Sequence, residues 1–238
     1  MSVVIKTENV SFSVNKKYIL QNINFEIENN DCVAVIGPNG AGKTTIFRLL
    51  TGLLEHSEGK IKIFNNEINS QTKKKIGYIP QNLPFDNFMP ILVKDIIYMG
   101  FLAKNGIFKN YSSDDICLAE EISKKLGISK LMQQPLCNIS GGERQKVSIA
   151  RVLVQNAKIL LMDEPLSNID ISSQKDILKI INDTHSNKDI TSMIIVHNLH
   201  QIPDCCNKVM LVSDGKIFAF GKKEDILNSE KFEMLWNF

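Results

Sequence analysis

The chain has 238 residues, 43% hydrophobic and 23% charged, with a formal net charge of +2. That is ordinary globular composition at a length able to bury a core, and so balanced a charge gives no reason to expect nucleic acid as a partner. No apolar stretch approaches the roughly 18 residues that span a bilayer, and Met1 to Val10 lacks the apolar region of a signal peptide, so the chain is expected to stay in the cytoplasm. Five cysteines, Cys32, Cys117, Cys137, Cys205 and Cys206, are odd in number and form no C-x-x-C pair. A disulfide framework is therefore not expected, and small buried apolar side chains are the better reading.

Residues 2–30 alternate with period two (Val3-Val4-Ile5, Val10-Phe12-Val14, Ile23-Phe25-Ile27). They read as antiparallel strands joined by a turn at Asn15-Lys16-Lys17. Tyr18 closes that turn, and by spacing alone it reads as a packing residue.

Asp31-Cys32-Val33-Ala34-Val35-Ile36 is a short apolar run, predicted as a buried strand. It leads into Gly37-Pro38-Asn39-Gly40-Ala41-Gly42-Lys43-Thr44-Thr45, which fits the phosphate-loop template G-x-x-x-x-G-K-[ST]. Glycines let the backbone approach a ligand, so that several N–H groups converge on phosphate oxygens. Lys43 suits the β- and γ-phosphates, and the Thr44 hydroxyl suits Mg²⁺. Ile46, Leu49, Leu50 and Leu53 then fall at helical spacing, which sets a helix N-terminus under the phosphates.

Beyond the helix, Lys60–Phe64 and Ile76–Gln81 are predicted strands, the second stopped by Pro80. Lys73-Lys74-Lys75 reads as a solvated turn. From about residue 91 to 156 the pattern is helical, entered past Pro84 and Pro90. Lys158–Pro165 is an apolar strand ending in Asp163-Glu164. A helix follows at about 172–185, and Thr191–His197 is a further strand ending in histidine. Asp214-Gly215 between two apolar runs signals a hairpin. Residues 222–238 read as short helices, with Trp236 as a packing residue. Strands alternating with helices, with polar residues at strand ends, give an α/β fold with its site along the C-terminal sheet edge.

Three strand ends thus offer Lys43 and Thr44, Asp163 and Glu164, and His197. Phosphoryl transfer to water needs a phosphate cradle, a metal ligand and a group that positions water. Asp163 suits Mg²⁺ through an intervening water, and Glu164 suits a general base. His197 and His200 are two donors without a third, which is too few for a metal site. Ser140-Gly141-Gly142-Glu143 reads either as a helix N-cap or as a second helix N-terminus built to hold phosphate.

In this combination the whole chain resembles the ATP-binding subunits of ABC transporters. The resemblance makes Ser140-Gly141-Gly142 the signature loop, Gln81 the Q-loop glutamine and a further Mg²⁺ ligand, Ser167-Asn168-Ile169-Asp170 the D-loop and His197 the switch histidine. Tyr18 becomes the aromatic that stacks on adenine. It implies one ATPase domain over residues 1–238, a P-loop NTPase with a RecA-like core, an antiparallel β subdomain and a helical subdomain inserted at about 85–156. It also implies ATP and Mg²⁺ as ligands, and a head-to-tail dimer of two copies in which each phosphate loop faces the partner's signature loop. The implied partners are a membrane-spanning permease subunit and an extracytoplasmic substrate-binding protein, with the chain peripheral at the cytoplasmic face of the membrane. Departures from the family pattern are small: Ile139, Glu143, Asn168-Ile169 and Asn198 stand where Leu, Gln, Ala-Leu and Asp are common.

Residues 86–100 (Asp86-Asn87-Phe88-Met89-Pro90-Ile91-Leu92-Val93-Lys94-Asp95-Ile96-Ile97-Tyr98-Met99-Gly100) resemble the permease-facing block of zinc and manganese importers, with matches at Pro90-Ile91, Val93, Asp95 and Met99-Gly100. Met89, Leu92 and Phe101 depart from it. Importers of iron–siderophore and cobalamin are similar here, and a soluble ABC ATPase outside transport is a further reading. By pattern alone, the same stretch fits the apolar face of a helical subdomain.

Overall fold

The structure, a computed structural model, describes residues 2–81, 90–106, 110–167, 169–187 and 190–236. Asn168, Pro84, residues 86–89 and the Trp236 side chain lie outside the described residues.

The period-two alternation at the start becomes two long antiparallel strands, β1 (Val3–Val14) and β2 (Lys17–Glu28). Asn15 and Lys16 both take positive φ, 51° and 63°, which gives the tight connection the twist of its flanking strands. The turn is therefore one residue shorter than the sequence suggests, and Lys17 already belongs to β2. β3 (Cys32–Ile36) is buried at every position and leads through the phosphate loop into α1 (Lys43–Leu50). Leu53, expected on the buried face of that helix, is instead 64% exposed. The helix stops at Leu50, and the chain turns at Gly52 with φ 66°. The helical period therefore no longer applies at Leu53.

β4 (Glu58–Ile63), β5 (Asn66–Glu67), α2 (Ser70–Lys73) and β6 (Ile76–Ile79) follow. Lys73, Lys74 and Lys75 are exposed, as expected of a solvated segment. The helical stretch contains α3 (Val93–Tyr98), α4 (Leu102–Asn105), α5 (Ser113–Lys125) and α6 (Gly141–Val154). Two of these start on capping boxes. Ser112 is reciprocated by Asp115, and Ser140 by Glu143, which satisfies N–H groups that the first helical turn leaves unpaired. β7 (Ile159–Asp163), α7 (Ile171–Asn187), β8 (Thr191–Ile195), β9 (Lys208–Ser213), β10 (Lys216–Lys222), α8 (Lys223–Leu227) and α9 (Glu230–Trp236) complete the chain. The β9–β10 hairpin turns at Asp214 (φ 47°) and Gly215 (φ 72°) as expected.

The strands form two sheets. One is antiparallel in the order β2-β1-β4-β5, and the other runs β10-β9-β3-β8-β7-β6. In the second, β9, β3, β8, β7 and β6 are mutually parallel. A parallel sheet is buried on both faces, which is why its strands read as continuous apolar runs. Alternate residues of β3 show the division: Cys32, Ala34 and Ile36 pack with the helices α3, α5, α6 and α7, whereas Val33 and Val35 pack with the antiparallel sheet and α1. Burying each such branched side chain is worth about 1.5–3 kcal/mol. The two sheets also meet at their edges, where Phe25 of β2 and Phe220 of β10 stack edge-to-face with centroids 6.3 Å apart.

The register places the site. Val35 and Asp163 both pair with Ile195, so the last residues of β3, β7 and β8 lie level along one sheet edge. Among the described residues no helix is long and apolar enough to cross a membrane. Of the five free cysteines, Cys32 and Cys206 are buried as expected, but Cys117 is exposed and Cys137 and Cys205 are only partly buried.

Candidate active site

The phosphate loop wraps a cleft of about 290 Å³ lined by Ile19, the residues from Asn39 to Thr45, and Glu164. Gly42 caps α1 with φ 100°, a conformation in which any Cβ is strained. Here a Cβ would also stand 2.5 Å from Leu20 Cδ2. Gly37 and Pro38 contribute through their carbonyls, which accept hydrogen bonds from Lys43 Nζ at 2.8 and 2.9 Å. Burial pushes the Lys43 ammonium below its ordinary pKa, opposed by the charges of Glu164 and Asp163. A buried cation held on weak carbonyl partners at a helix N-terminus is suited to an anion with more charge to offer.

Asp163 is 2% exposed, and both its oxygens are occupied. Thr44 donates to Oδ1 at 3.1 Å and Tyr78 donates to Oδ2 at 3.2 Å. Burial raises the Asp163 pKa above the usual carboxylate value, while the two hydroxyls oppose that rise. Tyr78 is itself pushed up to about 12, first by burial and then by the Asp163 charge. The Thr44 hydroxyl, the Asp163 carboxylate and the carbonyl oxygen of the Gln81 amide, whose Nε2 is taken up by Glu164, are oxygen donors of the kind that fit a hard cation such as Mg²⁺. Nothing in the sequence singled out Tyr78. The signal was available only in its position on a strand one bond from Ile79-Pro80-Gln81, and pairing of β6 with β7 turns that position towards Asp163.

Glu164 follows Asp163 with φ 51°, a left-handed conformation that costs a non-glycine residue about 1 kcal/mol or more. That turn directs its side chain back over the strand ends, where it is only 10% exposed. Its Oε2 receives a hydrogen bond from Gln81 Nε2 and lies 2.6 Å from His197 Nε2. A carboxylate gripped by one oxygen from two sides, at the wall of the phosphate-loop cleft, can present its other oxygen to a water molecule. Three segments far apart in sequence thus supply one constellation.

Other expected residues lie elsewhere. Tyr18 is 46% exposed and donates its hydroxyl to Glu58 Oε1 at 3.1 Å. It is too exposed for the packing reading, and its neighbour Ile19 lines the cleft. Ser140 and Gly141 are exposed and Gly142 is buried, and none of the three lines the cleft. Ser140 caps α6 by accepting from the Glu143 N–H at 3.3 Å, and Glu143 Oε2 accepts from the Ser140 N–H at 2.8 Å. That hydrogen bond holds the Glu143 carboxyl below the ordinary value. Of the D-loop, Ser167 donates from both N–H and hydroxyl to the Glu164 carbonyl. Asp170 caps α7 by accepting from Ser172 and from the Ser173 N–H, which depresses its pKa.

Of the importer-like stretch, Val93, Ile96 and Ile97 are core residues. At Gly100 a Cβ would meet the Arg151 carbonyl at 2.0 Å. Two of the matches, Val93 and Gly100, are therefore required by packing, and they say nothing about a permease.

The profile described as "ABC transporter" matches residues 20–167. A Chlamydia muridarum protein named "Probable metal transport system ATP-binding protein" is 36% identical over 227 residues, covering 94% of this chain and 93% of its own. The Bacillus subtilis manganese transport system ATP-binding protein is 30% identical over 96% of this chain and 90% of its own. Among solved structures, an inward-facing metal-chelate type ABC transporter superposes with a TM-score of 0.86 at 29% identity, covering all of this chain and 90% of that one.

Proposed function

The chain belongs to the ABC transporter family, and from that premise we propose that it is the ATP-hydrolysing subunit of an importer for a divalent transition-metal ion, zinc or manganese. The observation that carries the ATPase assignment is the convergence of Gln81 and His197 on Glu164 at the wall of the phosphate-loop cleft. The metal cargo is supported by the names of the Chlamydia and Bacillus relatives and of a Listeria innocua zinc uptake protein that is 29% identical.

In this reading the loop N–H groups and Lys43 hold the ATP phosphates, with Lys43 exchanging its loop carbonyls for phosphate oxygens. Thr44, Asp163 and Gln81 would hold Mg²⁺, which supplies charge neutralisation between the β- and γ-phosphates. Glu164 takes a proton from the attacking water, and His197 keeps its carboxylate in place. Tyr18, exposed and adjacent in sequence to Ile19 of the cleft wall, stacks on adenine. As the family resemblance implies, Ser140, Gly141 and Gly142 serve the site of a second copy, which is compatible with their place outside the cleft of their own chain. Each helix α6 then aims its N-terminal dipole at the partner's γ-phosphate. Residues 1–238 act as one ATPase domain, with the helices of about 85–156 as an inserted subdomain. A permease subunit holds the dimer at the cytoplasmic face of the membrane, and an extracytoplasmic binding protein delivers the ion.

The test is to purify tagged Glu164→Gln protein from gently solubilised native membranes and identify what accompanies it. A polytopic membrane chain is expected, and vesicles carrying the wild-type complex should then accumulate zinc or manganese only with ATP. Soluble companions alone would overturn the transport reading and leave the ATPase assignment standing. ATP-driven uptake of a metal chelate with no response to the free ions would overturn the cargo.

A further inference from the structure

Three sulfurs meet at the opposite edge of the parallel sheet. Cys32 is the first residue of β3, five residues before the phosphate loop begins, and Cys205 and Cys206 lie in the turn that leads into β9. Cys32 Sγ is 3.1 Å from Cys206 Sγ and 3.5 Å from Cys205 Sγ, and all three sulfurs lie within 4.8 Å of one another. Around a tetrahedral zinc ion with Zn–S near 2.3 Å, sulfurs stand ~3.8 Å apart. The three thiols are thus as close as ligands of one ion.

The cluster is held by bonds that do not involve the thiols. Asn207 accepts the Cys32 N–H through Oδ1 at 2.9 Å and donates its own N–H to the Cys32 carbonyl at 3.0 Å. The Cys206 N–H donates to the Pro203 carbonyl at 3.1 Å, and the Cys205 N–H donates to Asn182 Oδ1 on α7 at 3.1 Å. One turn further along α7 stands His185, on the same face as Asn182. Its Nδ1 is buried and has no hydrogen-bond partner among the described residues, although a buried ring nitrogen normally finds one. The ring nitrogens of His185 are not among the atoms that lie within 4.8 Å of one another with the three sulfurs, so the imidazole reaches a shared ion by turning towards them.

We propose that Cys32, Cys205 and Cys206 form a binding site for one zinc ion at the sheet edge away from the phosphate loop, with His185 turning in from α7 as the fourth ligand. Three thiolates and an imidazole are a closed donor set for structural zinc, and soft sulfur excludes Mg²⁺ and disfavours manganese. Binding releases the thiol protons and ties together β3, the turn before β9 and the end of α7. The site is separate from ATP turnover and does not depend on the transport reading.

The test uses the untagged full-length chain in reducing buffer, titrated with Co²⁺ and then with Zn²⁺. The expected result is a sulfur-to-cobalt charge-transfer band and tetrahedral d–d bands that saturate at one equivalent and are abolished by one equivalent of Zn²⁺. Cys205 is partly exposed, so Cys205→Ser should fold, with an unchanged circular dichroism spectrum. It should lose about a third of the charge-transfer intensity and weaken zinc at least tenfold. His185→Ala should keep the charge-transfer band but shift the d–d bands and weaken zinc about tenfold or more. A wild-type chain with no charge-transfer band would overturn the site, as would a band unchanged in Cys205→Ser. So would an intact mass two hydrogens short, which would show that the thiols pair with one another instead. A His185→Ala chain with unaltered d–d bands and affinity would remove His185 from the ligand set.

Discussion

Glu164 Oε2 and His197 Nε2 stand 2.6 Å apart although they come from the ends of different strands, β7 and β8. Parallel pairing of Asp163 with Ile195 puts those ends level. The left-handed backbone at Glu164 then brings its carboxylate across to the histidine. The contact makes Glu164 the acceptor at the centre of the site, and the two residues should separate kinetically.

Glu164→Gln should lower kcat by about 10²–10⁴, the usual worth of a general base, while ATP is still bound. Because hydrolysis no longer releases the closed state, ATP should shift the variant from monomer to dimer in analytical ultracentrifugation. Phosphate release near the wild-type rate would refute the role of the carboxylate.

His197→Ala should leave the base present but poorly placed. A fall in kcat of about 10- to 100-fold is expected from a displacement of this kind, with nucleotide affinity nearly unchanged. Combined with Glu164→Gln it should cost little more than Glu164→Gln alone, since both act through one carboxylate.

Lys43→Ala removes the buried ammonium at the floor of the cleft. Charge-assisted hydrogen bonds contribute about 1.5–3 kcal/mol, so ATP should bind about 10- to 100-fold more weakly in a fluorescent-nucleotide titration. Unchanged affinity would remove Lys43 from the phosphate cradle.

Tyr78→Phe deletes one of the two hydroxyls that oppose the burial-driven rise in the Asp163 pKa. Asp163 should therefore protonate at higher pH in the variant. The acid limb of the ATPase profile should move to higher pH, and more Mg²⁺ should be needed for half-maximal rate. A superimposable profile would show that Tyr78 serves packing alone.

Glu143→Gln keeps a side chain able to cap α6 but removes its charge from the helix N-terminus. The native Glu143 pKa is depressed, so its stabilisation is complete above the ordinary value near 4.3 and disappears as pH falls through the folded value. The variant should be less stable at pH 7 by about 0.3–1 kcal/mol, and the difference in Tm should close in acid. A Tm difference that persists at low pH would assign the effect to the cap geometry instead.

Local chemistry fixed much of this protein before any tertiary contact. Nine consecutive residues, Gly37 to Thr45, specify a loop whose backbone must meet phosphate, and continuous apolar runs at 32–36, 159–163 and 191–195 announce buried parallel strands. Asp163, Glu164 and His197 were legible because each ends such a run. Leu53 was misread because a helical period carries no information about where the helix stops. Spacing alone reads Tyr18 as packing, and its 46% exposure shows otherwise, because exposure at a strand end depends on what the neighbouring sheet covers.

Pairing across the sheet decided the rest. Tyr78 reaches Asp163 only because β6 lies beside β7. Cys32 meets Cys205 and Cys206, from a distant turn, only because β9 lies beside β3. Sequence reports which residues share a strand or a helix face. Which strand becomes whose neighbour is set by how the whole chain buries its apolar faces, and that is where the thiol cluster comes from.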